Sequence, residues 1–473
     1  MIRFFNTLAR RKEEFVPLQK GFVRIYSCGP TVYNFPHIGN YRAYCFADVM
    51  RRYLEWKGLK TLHVMNITDV DDKTIRDSQK EGVSLKEFCH RYEKAFHEDL
   101  AVLNILPAHY YPRATEHIND MLTIIQELIA HNKAYKSEDG SVYYKIDSFP
   151  DYGKLSGLRK DQLQVGASGR VKKDEYTKEN ATDFVLWKAY DPQDGDVFWE
   201  TRVGKGRPGW HIECSGMSTR YLGYSFDIHT GGVDLIFPHH ENEIAQSEGA
   251  SKKKFVNYWL HNEHLLVDGK KMSKSLGNFY TLRDVLAKGH APMAIRYALI
   301  ATHYRSQLNF TFDSVHAAEK TLNGLQDFLV RLDDDAVEKG KIDVEKTLTS
   351  QLEKTKTAFA AALDDDLDVA TALAAVFELQ HAGNKALDAK AVSKAMAAKI
   401  TAFFWDDFNA VFGVLRKQAA LHLPDAVLAL VEQREAARKA KDFKKSDALR
   451  DQIKALGYAV DDTGKGARVK KVP

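Results

Sequence analysis

Cysteine is scarce in this chain, four in 473 residues, too few for the disulfide scaffold of a small secreted protein. No apolar run approaches the roughly 18–20 residues that a membrane-spanning helix needs. The opening stretch, MIRFFNTLARRKEEF, lacks the apolar core and small-residue cleavage site of a secretory signal. Short-period repeats and low-complexity tracts are missing as well, which excludes solenoids and arrays. These absences leave an expectation of a reduced, cytoplasmic protein in which Cys28, Cys45, Cys89 and Cys214 are core residues or ligands. A large charge of either sign is also lacking, since the net charge is only +4. Its distribution is uneven, however. From Arg434 to the end, 12 Lys/Arg stand against 6 Asp/Glu, leaving −2 for the first 433 residues. A basic appendage on a near-neutral body points to contact with a polyanion.

What is present has a rhythm. The chain is 44% hydrophobic and 28% charged, a soluble globular composition with length enough for several cores. GFVRIYSCG (21–29) reads as a buried strand closed by Gly29-Pro30. YRAYCFADVMRRYLEWKG follows with apolar residues at helical spacing up to Gly58, and TLHVMNITDV (61–70) is a second apolar strand. Strand, helix and strand in that order imply a βαβ crossover and a parallel sheet. The region from about 101 to 205, rich in aromatics, Gly and Pro, reads as an inserted subdomain. The α/β pattern resumes at GWHIECSGM and SFDIHTGGVDLIFPHH. After about residue 292 the pattern is helical almost throughout, with a hinge-like DDDAVEKGKID at 333–343.

Three stretches carry chemistry. In FPHHENEIAQSEGA (237–250) His239 and Glu243 stand four apart and share a helical face, while His240 and Glu243 stand three apart and nearly do. The zinc-hydrolase pattern HExxH fails because Ile244 occupies its second histidine position. A metal here needs ligands from elsewhere in the chain, most plausibly sulfur, and spacing does not choose between His239 and His240. SCGPTVYNFPHIGNYR puts a cysteine at a strand end and a His-x-Gly turn at a helix start, where unpaired N–H groups and a partial positive charge suit phosphates. GKKMSKSLGN (269–278) is a cationic, glycine-flanked loop able to close on a pyrophosphate as charge develops there.

HIGN and KMSKS in this order, about 230 residues apart around a split α/β sheet, resemble the HIGH and KMSKS signatures of class I aminoacyl-tRNA synthetases. Within that class, YSCGPTVYNFPHIGN, NITDVDDKTI, TDFVLWK, GRPGWHIECSGM, DIHTGGVDLIFPHHENEIAQSE, HYRSQLNF, LDDDLDVATAL and KKSDALRDQIKALGYAVDDTGKGARVK resemble the cysteinyl-tRNA synthetases. The likeness spans essentially the whole chain. It implies an α/β fold, a split Rossmann-type parallel sheet with an inserted subdomain followed by a helical C-terminal half. The implied divisions are a catalytic first half (1–100), an inserted connective subdomain (101–205) and a catalytic second half with the KMSKS loop (206–291). Stem-contact helices (292–335), a helical bundle (336–418) and a basic anticodon-binding domain (419–473) complete the chain.

The resemblance further implies one Zn2+ held by Cys28, Cys214, His239 and Glu243, with Cys45 and Cys89 as ordinary helix or core residues. Cysteine and serine differ by one atom, and an apolar pocket separates such near-isosteres by only about 1–3 kcal/mol. A thiol loses its proton on coordinating zinc, whereas a hydroxyl is a far poorer ligand, so the metal selects by bond type. Four protein ligands leave no empty tetrahedral position, so the substrate enters as a fifth ligand or displaces a weak one, for which Glu243 is the candidate. ATP, with Mg2+, is implied as a substrate, its phosphates meeting His37, Gly39 and Asn40. Lys271 and Lys274 are implied partners of the departing pyrophosphate. Thr68 and Trp210 are implied members of the cysteine pocket, core packing being the competing role for Trp210. Asn40 replaces the second signature histidine, and asparagine can never be cationic. The implied activity is ATP-dependent activation of L-cysteine and its transfer to tRNA(Cys) by a monomer without membrane contact. The rival readings are a cysteine ligase acting on a sugar amine, a zinc hydrolase, and an inactive tRNA-binding module.

Overall fold

The computed structural model describes residues 1–158, 183–416, 423–463 and 466–471. Its centre is a four-stranded parallel sheet in the order Val256–Asn262, Phe226–Gly232, Phe22–Ser27, Lys60–Met65. The two inner strands are FVRIYS and FDIHTGG, nearly continuous buried runs, as expected for parallel strands covered on both faces. Ile38–Trp56 is the crossover helix between the first two strands in sequence. The second strand is shorter than its apolar run suggests, ending at Met65. Asn66 and Thr68 have left the ladder by then, and Asn66 Oδ1 accepts from Gly29 N at 2.9 Å.

Between the two halves of this sheet lies a separate five-stranded antiparallel sheet. Its order is Ala134–Lys136, Val142–Tyr144, Phe184–Ala189, Gly204–Pro208, Trp199–Thr201. The expected end of the insertion at 205 falls inside the Gly204–Pro208 strand, and part of the insertion, 159–182, lies outside the described residues.

Two buried arginines fasten the signature helix Ile38–Trp56 to the rest. Arg42 donates to the carbonyls of Glu263 and His264 at 2.6 and 2.7 Å and of Ser306 at 2.5 Å. Arg296 reaches Asp48 at 2.5 Å and the carbonyls of Leu103 and Phe412 at 3.0 and 2.7 Å. A buried guanidinium is tolerated only when its donors are occupied in this way.

The C-terminal half is built from Phe312–Asp334, Ile342–Asp364, Val369–Asp388, Lys394–Ala402 and a helical continuation to Phe412. These helices share one apolar cluster with the catalytic sheet. Met1 and Phe5 bond the carboxylates of Asp364 and Asp366 across the sequence. The basic tail has its own small cluster, Val427, Ile453 and Val460. It pairs helices Asp425–Lys439 and Phe443–Ala455 with a hairpin, Tyr458–Thr463 against Gly466–Lys471. That hairpin and the short strand Leu308–Phe310 depart from the helical pattern expected after residue 292. Among the described residues, no helix is long and apolar enough to cross a membrane.

Candidate active site and metal centre

Four segments converge at the carboxyl edge of the central sheet. Cys28 follows the last residue of Phe22–Ser27, and Cys214 lies on the first turns of helix Trp210–Leu222. His239 stands in the turn before helix Glu241–Ser251, one helical turn ahead of Glu243. The four present ligand atoms all within 4.8 Å of one another. His239 Nε2 is 3.1 Å from Glu243 Oε1, and Cys28 Sγ is 4.0 Å from the same oxygen. Sulfur, imidazole nitrogen and carboxylate oxygen are the donor types a tetrahedral zinc site uses. A second set, Cys28, His229, His240 and Glu243, satisfies the same geometric condition. Geometry therefore leaves open the choice between His239 and His240 that spacing left open.

The imidazole and carboxylate donors are oriented from behind. His211 Nδ1 lies 2.9 Å from His239 Nδ1, which turns the His239 Nε2 edge toward Glu243. His229 Nε2 lies 3.0 Å from Glu243 Oε2. His240 Nδ1 contacts His261 Nε2 at 2.7 Å, and Thr7 Oγ1 meets the other His261 nitrogen at 2.8 Å. Such outer contacts fix tautomers and ring planes of metal-ligating side chains. Burial drives His211, His229 and His261 down to about 3, so these imidazoles are neutral. Burial likewise pushes the Glu243 carboxyl well above its ordinary range, and burial with the Cys214 sulfur does so for the Cys28 thiol. A dication among these groups reverses that balance, drawing off the protons and stabilising the anions. The donor set and its buried, otherwise uncompensated acids thus fit a zinc ion. Cys45 and Cys89 are buried in the main apolar cluster, away from this assembly.

Trp210 is 42% exposed and stacks on His239, ring centres 4.1 Å apart. Its exposure is not that of a core-packing residue. Thr68 is buried, accepts from Asn66 Nδ2 at 3.2 Å and donates to Glu213 Oε2 at 3.0 Å. Its hydroxyl is committed to the protein. Asn66 also packs against Gly29, where an added Cβ would stand 1.8 Å from the Asn66 carbonyl oxygen.

At the neighbouring helix start His37 is the N-cap. Its Nδ1 accepts from Asn40 N at 3.3 Å, while Asn40 Oδ1 accepts from His37 N at 3.1 Å. The pair is a reciprocal capping box, and an accepting Nδ1 leaves the ring proton on Nε2. Ile38 N donates to the Tyr280 carbonyl at 3.0 Å, so this helix start holds fewer free N–H groups than the sequence suggests. Gly39 shows why glycine stands between them: a Cβ there would lie 2.9 Å from Met272 Cε and 3.0 Å from the His37 ring. The two signature segments therefore touch. Lys270–Lys271 pairs with Leu265–Val267, and Asn278 cinches the lysine loop by accepting from Ser273 N and donating to the Lys271 carbonyl. Lys271 is exposed. Lys274 opens the turn Lys274–Leu276, and its side chain lies outside the described part.

His211, His229 and His261 are missed by the sequence reading, which weighs His240 only as an alternative to His239. Part of their signal was available, since His211 and His229 lie in the stretches GWHIECSGM and DIHTGG, but nothing in one-dimensional spacing says that these converge.

A split parallel sheet with an insertion, a His-x-Gly helix start and an apposed lysine loop define the catalytic body of a class I aminoacyl-tRNA synthetase. The fold is similar to that of Mycobacterium tuberculosis methionyl-tRNA synthetase in complex with methionyl-adenylate, with a TM-score of 0.60 at 14% identity over 82% of this chain and 89% of that one. It is equally similar to the LeuRS of an Agrobacterium radiobacter ternary complex with tRNA, at TM-score 0.60, 11% identity and 85% coverage of both chains. The model of the class I (C) tRNA synthetase catalytic domain matches residues 14–320, a DALR domain matches 358–416, and the cysteinyl-tRNA ligase anticodon-binding domain matches 422–469. Cysteine–tRNA ligases of Brachyspira hyodysenteriae and Chlamydia felis are each 49% identical over 99% of this chain, covering 99% and 97% of their own lengths. The chain belongs to the cysteinyl-tRNA synthetase family.

Proposed function

We propose that this chain activates L-cysteine with ATP and transfers it to the 3′ end of tRNA(Cys), acting as a cytoplasmic monomer with one Zn2+. The observation that carries the reading is the two-sulfur, imidazole and carboxylate cluster, Cys28, Cys214, His239 and Glu243, in a chain whose His37 caps the helix Ile38–Trp56. Zinc, when bound there, supplies a Lewis-acidic position that prefers a thiolate and serves a hydroxyl poorly. Two sulfur donors favour this set over the alternative containing His229 and His240.

The residues of the chain position and screen. Trp210 closes one side of the amino-acid site against His239. Thr68, locked between Asn66 and Glu213, shapes its floor. His37, through Nε2–H, donates to ATP phosphate oxygens, and Gly39 lets them approach closely. Asn40 holds His37 in place by the reciprocal cap rather than by contributing charge. The cysteine carboxylate attacks the α-phosphate, forming cysteinyl-adenylate as the bond to pyrophosphate breaks; Mg2+ carried by the ATP would screen the charge on that leaving group. Lys271 and Lys274 stabilise the charge that develops on that leaving group. The terminal ribose hydroxyl of the tRNA then takes the cysteinyl group. Phosphoryl chemistry of this kind depends mainly on alignment and charge stabilisation. The basic tail binds the anticodon loop, where bases are open to reading. That module also argues against a sugar-amine acceptor, which would give it no task.

Pyrophosphate exchange into ATP, run with each of the twenty amino acids singly, tests the reading. Cysteine alone should support it, with serine at least roughly a thousandfold worse. Comparable exchange with serine would overturn the proposed selection.

A further inference from the structure

Helix Pro292–Ile300 starts with proline at its first turn, and His290, just ahead of it, is buried. The His290 ring lies parallel to Phe312, 5.4 Å between centres, and edge-on to His316 at 4.8 Å. Phe312 opens helix Phe312–Asp334, so His316 and Glu319, three residues apart, share a face near its start. Glu319 Oε2 is 3.2 Å from His316 Nδ1, and Glu319 Oε1 is 3.5 Å from His290 Nδ1. The three side chains present ligand atoms all within 4.8 Å of one another.

The His316–Glu319 separation is within hydrogen-bond range, and the His290–Glu319 separation is longer than the roughly 3.2 Å usual for an N···O bond. They match the edge of about 3.3 Å between two ligands that each sit roughly 2.0–2.1 Å from one tetrahedral dication. Glu319 is held for the purpose: its Oε1 accepts from Ala291 N at 3.1 Å, which fixes the carboxylate plane. His316 is exposed, which gives an ion a path in from solvent.

We propose that His290, His316 and Glu319 form a second metal site, distinct from the cysteine-containing centre, for one transition dication of the zinc type. Two imidazoles and a carboxylate suit Zn2+, Co2+ or Ni2+ rather than Mg2+ or Ca2+, and the fourth position is left to water. The site joins the start of helix Pro292–Ile300 to that of Phe312–Asp334. Phe312 packs edge-on against Tyr280 at 5.2 Å, and the Tyr280 carbonyl accepts from Ile38 N. An ion bound here stiffens the frame behind both signature segments.

The test uses full-length, tag-free protein already carrying one equivalent of Zn2+, titrated with further Zn2+ by calorimetry and followed by thermal unfolding. A second equivalent should bind to the unmodified protein and raise its unfolding midpoint. His316→Ala and Glu319→Gln should each bind that equivalent at least tenfold more weakly and lose the thermal shift, as expected when one of three ligands goes. His316 is exposed, so its removal leaves the fold intact. Only one equivalent bound by the unmodified protein, or a second bound equally well by both variants, would overturn the proposal.

Discussion

Asp462→Asn separates the two halves of the reaction through a single carboxylate in the basic tail. Arg434 is buried, and its two terminal nitrogens donate to Asp462 Oδ1 and Oδ2 at 2.8 and 3.0 Å. Arg438 reaches the same carboxylate at 2.8 Å. This bidentate pair ties helix Asp425–Lys439 to the hairpin strand Tyr458–Thr463. Hydrogen bonds to charged groups contribute about 1.5–3 kcal/mol. Asp462 is a third exposed, so solvent screening brings the expected loss toward the lower end, about 2 kcal/mol. The fold around it is small: three buried apolar residues form its cluster, and a module of roughly fifty residues has only about 3–7 kcal/mol of stability in total. By the scaling for small domains, the tail should then unfold about 10–15 °C lower. Differential scanning calorimetry should show a tail transition moved down while that of the catalytic body stays put. Between the two tail midpoints, cysteine-dependent pyrophosphate exchange should be normal while the KM for tRNA rises by at least tenfold. Hydrogen bonds from Arg434 hold the Asp462 carboxyl below its ordinary range. The stability it contributes is therefore full above the unfolded carboxylate pKa of about 4 and is lost as pH falls through the lower folded value. The variant should show a weaker acid dependence in that window. An unmoved tail transition, or exchange that falls in step with charging, would refute the reasoning.

Other perturbations act at the site itself. Cys214→Ser should lose tightly bound zinc and cysteine activation, while Cys45→Ser retains both; full metal occupancy in Cys214→Ser by elemental analysis would contradict the ligand assignment. Gly39→Ala should slow exchange about 10- to 100-fold with little change in unfolding temperature, because the new methyl displaces His37 and Met272 by tenths of an ångström in an alignment-dependent step; unchanged turnover would show that the contact between the two signatures is idle. Lys274→Ala should slow adenylate formation strongly while cysteine binding, measured by calorimetry, stays nearly intact. Weakened cysteine binding at an unchanged activation rate would reverse the role given to this lysine.

Much of the architecture is readable from local pattern. The runs FVRIYS and TLHVM are apolar in the manner of covered parallel strands, and the helix between them has both its spacing and its stop at Gly58. The terminal hairpin escaped because its charge was more conspicuous than its alternation: Val460 and Val469 pair across it, and Thr463-Gly466 close it. Asn40 read as a weakened histidine because the competing use of an asparagine three residues after a helix cap is visible only when the cap geometry is known. Cys28, Cys214, His239 and Glu243 were named through family likeness, and their proximity depends on strands and helices some 200 residues apart. The histidines behind them carry no motif of their own, for a positioning residue is defined by what it touches.

X-ray absorption at the zinc edge, on protein loaded with one equivalent of metal, reads the donor set itself. Two sulfur neighbours at about 2.3 Å are expected in the free protein, three when cysteine is added, and still two with serine. A shell without sulfur, or one that cysteine leaves unchanged, would contradict the ligand assignment.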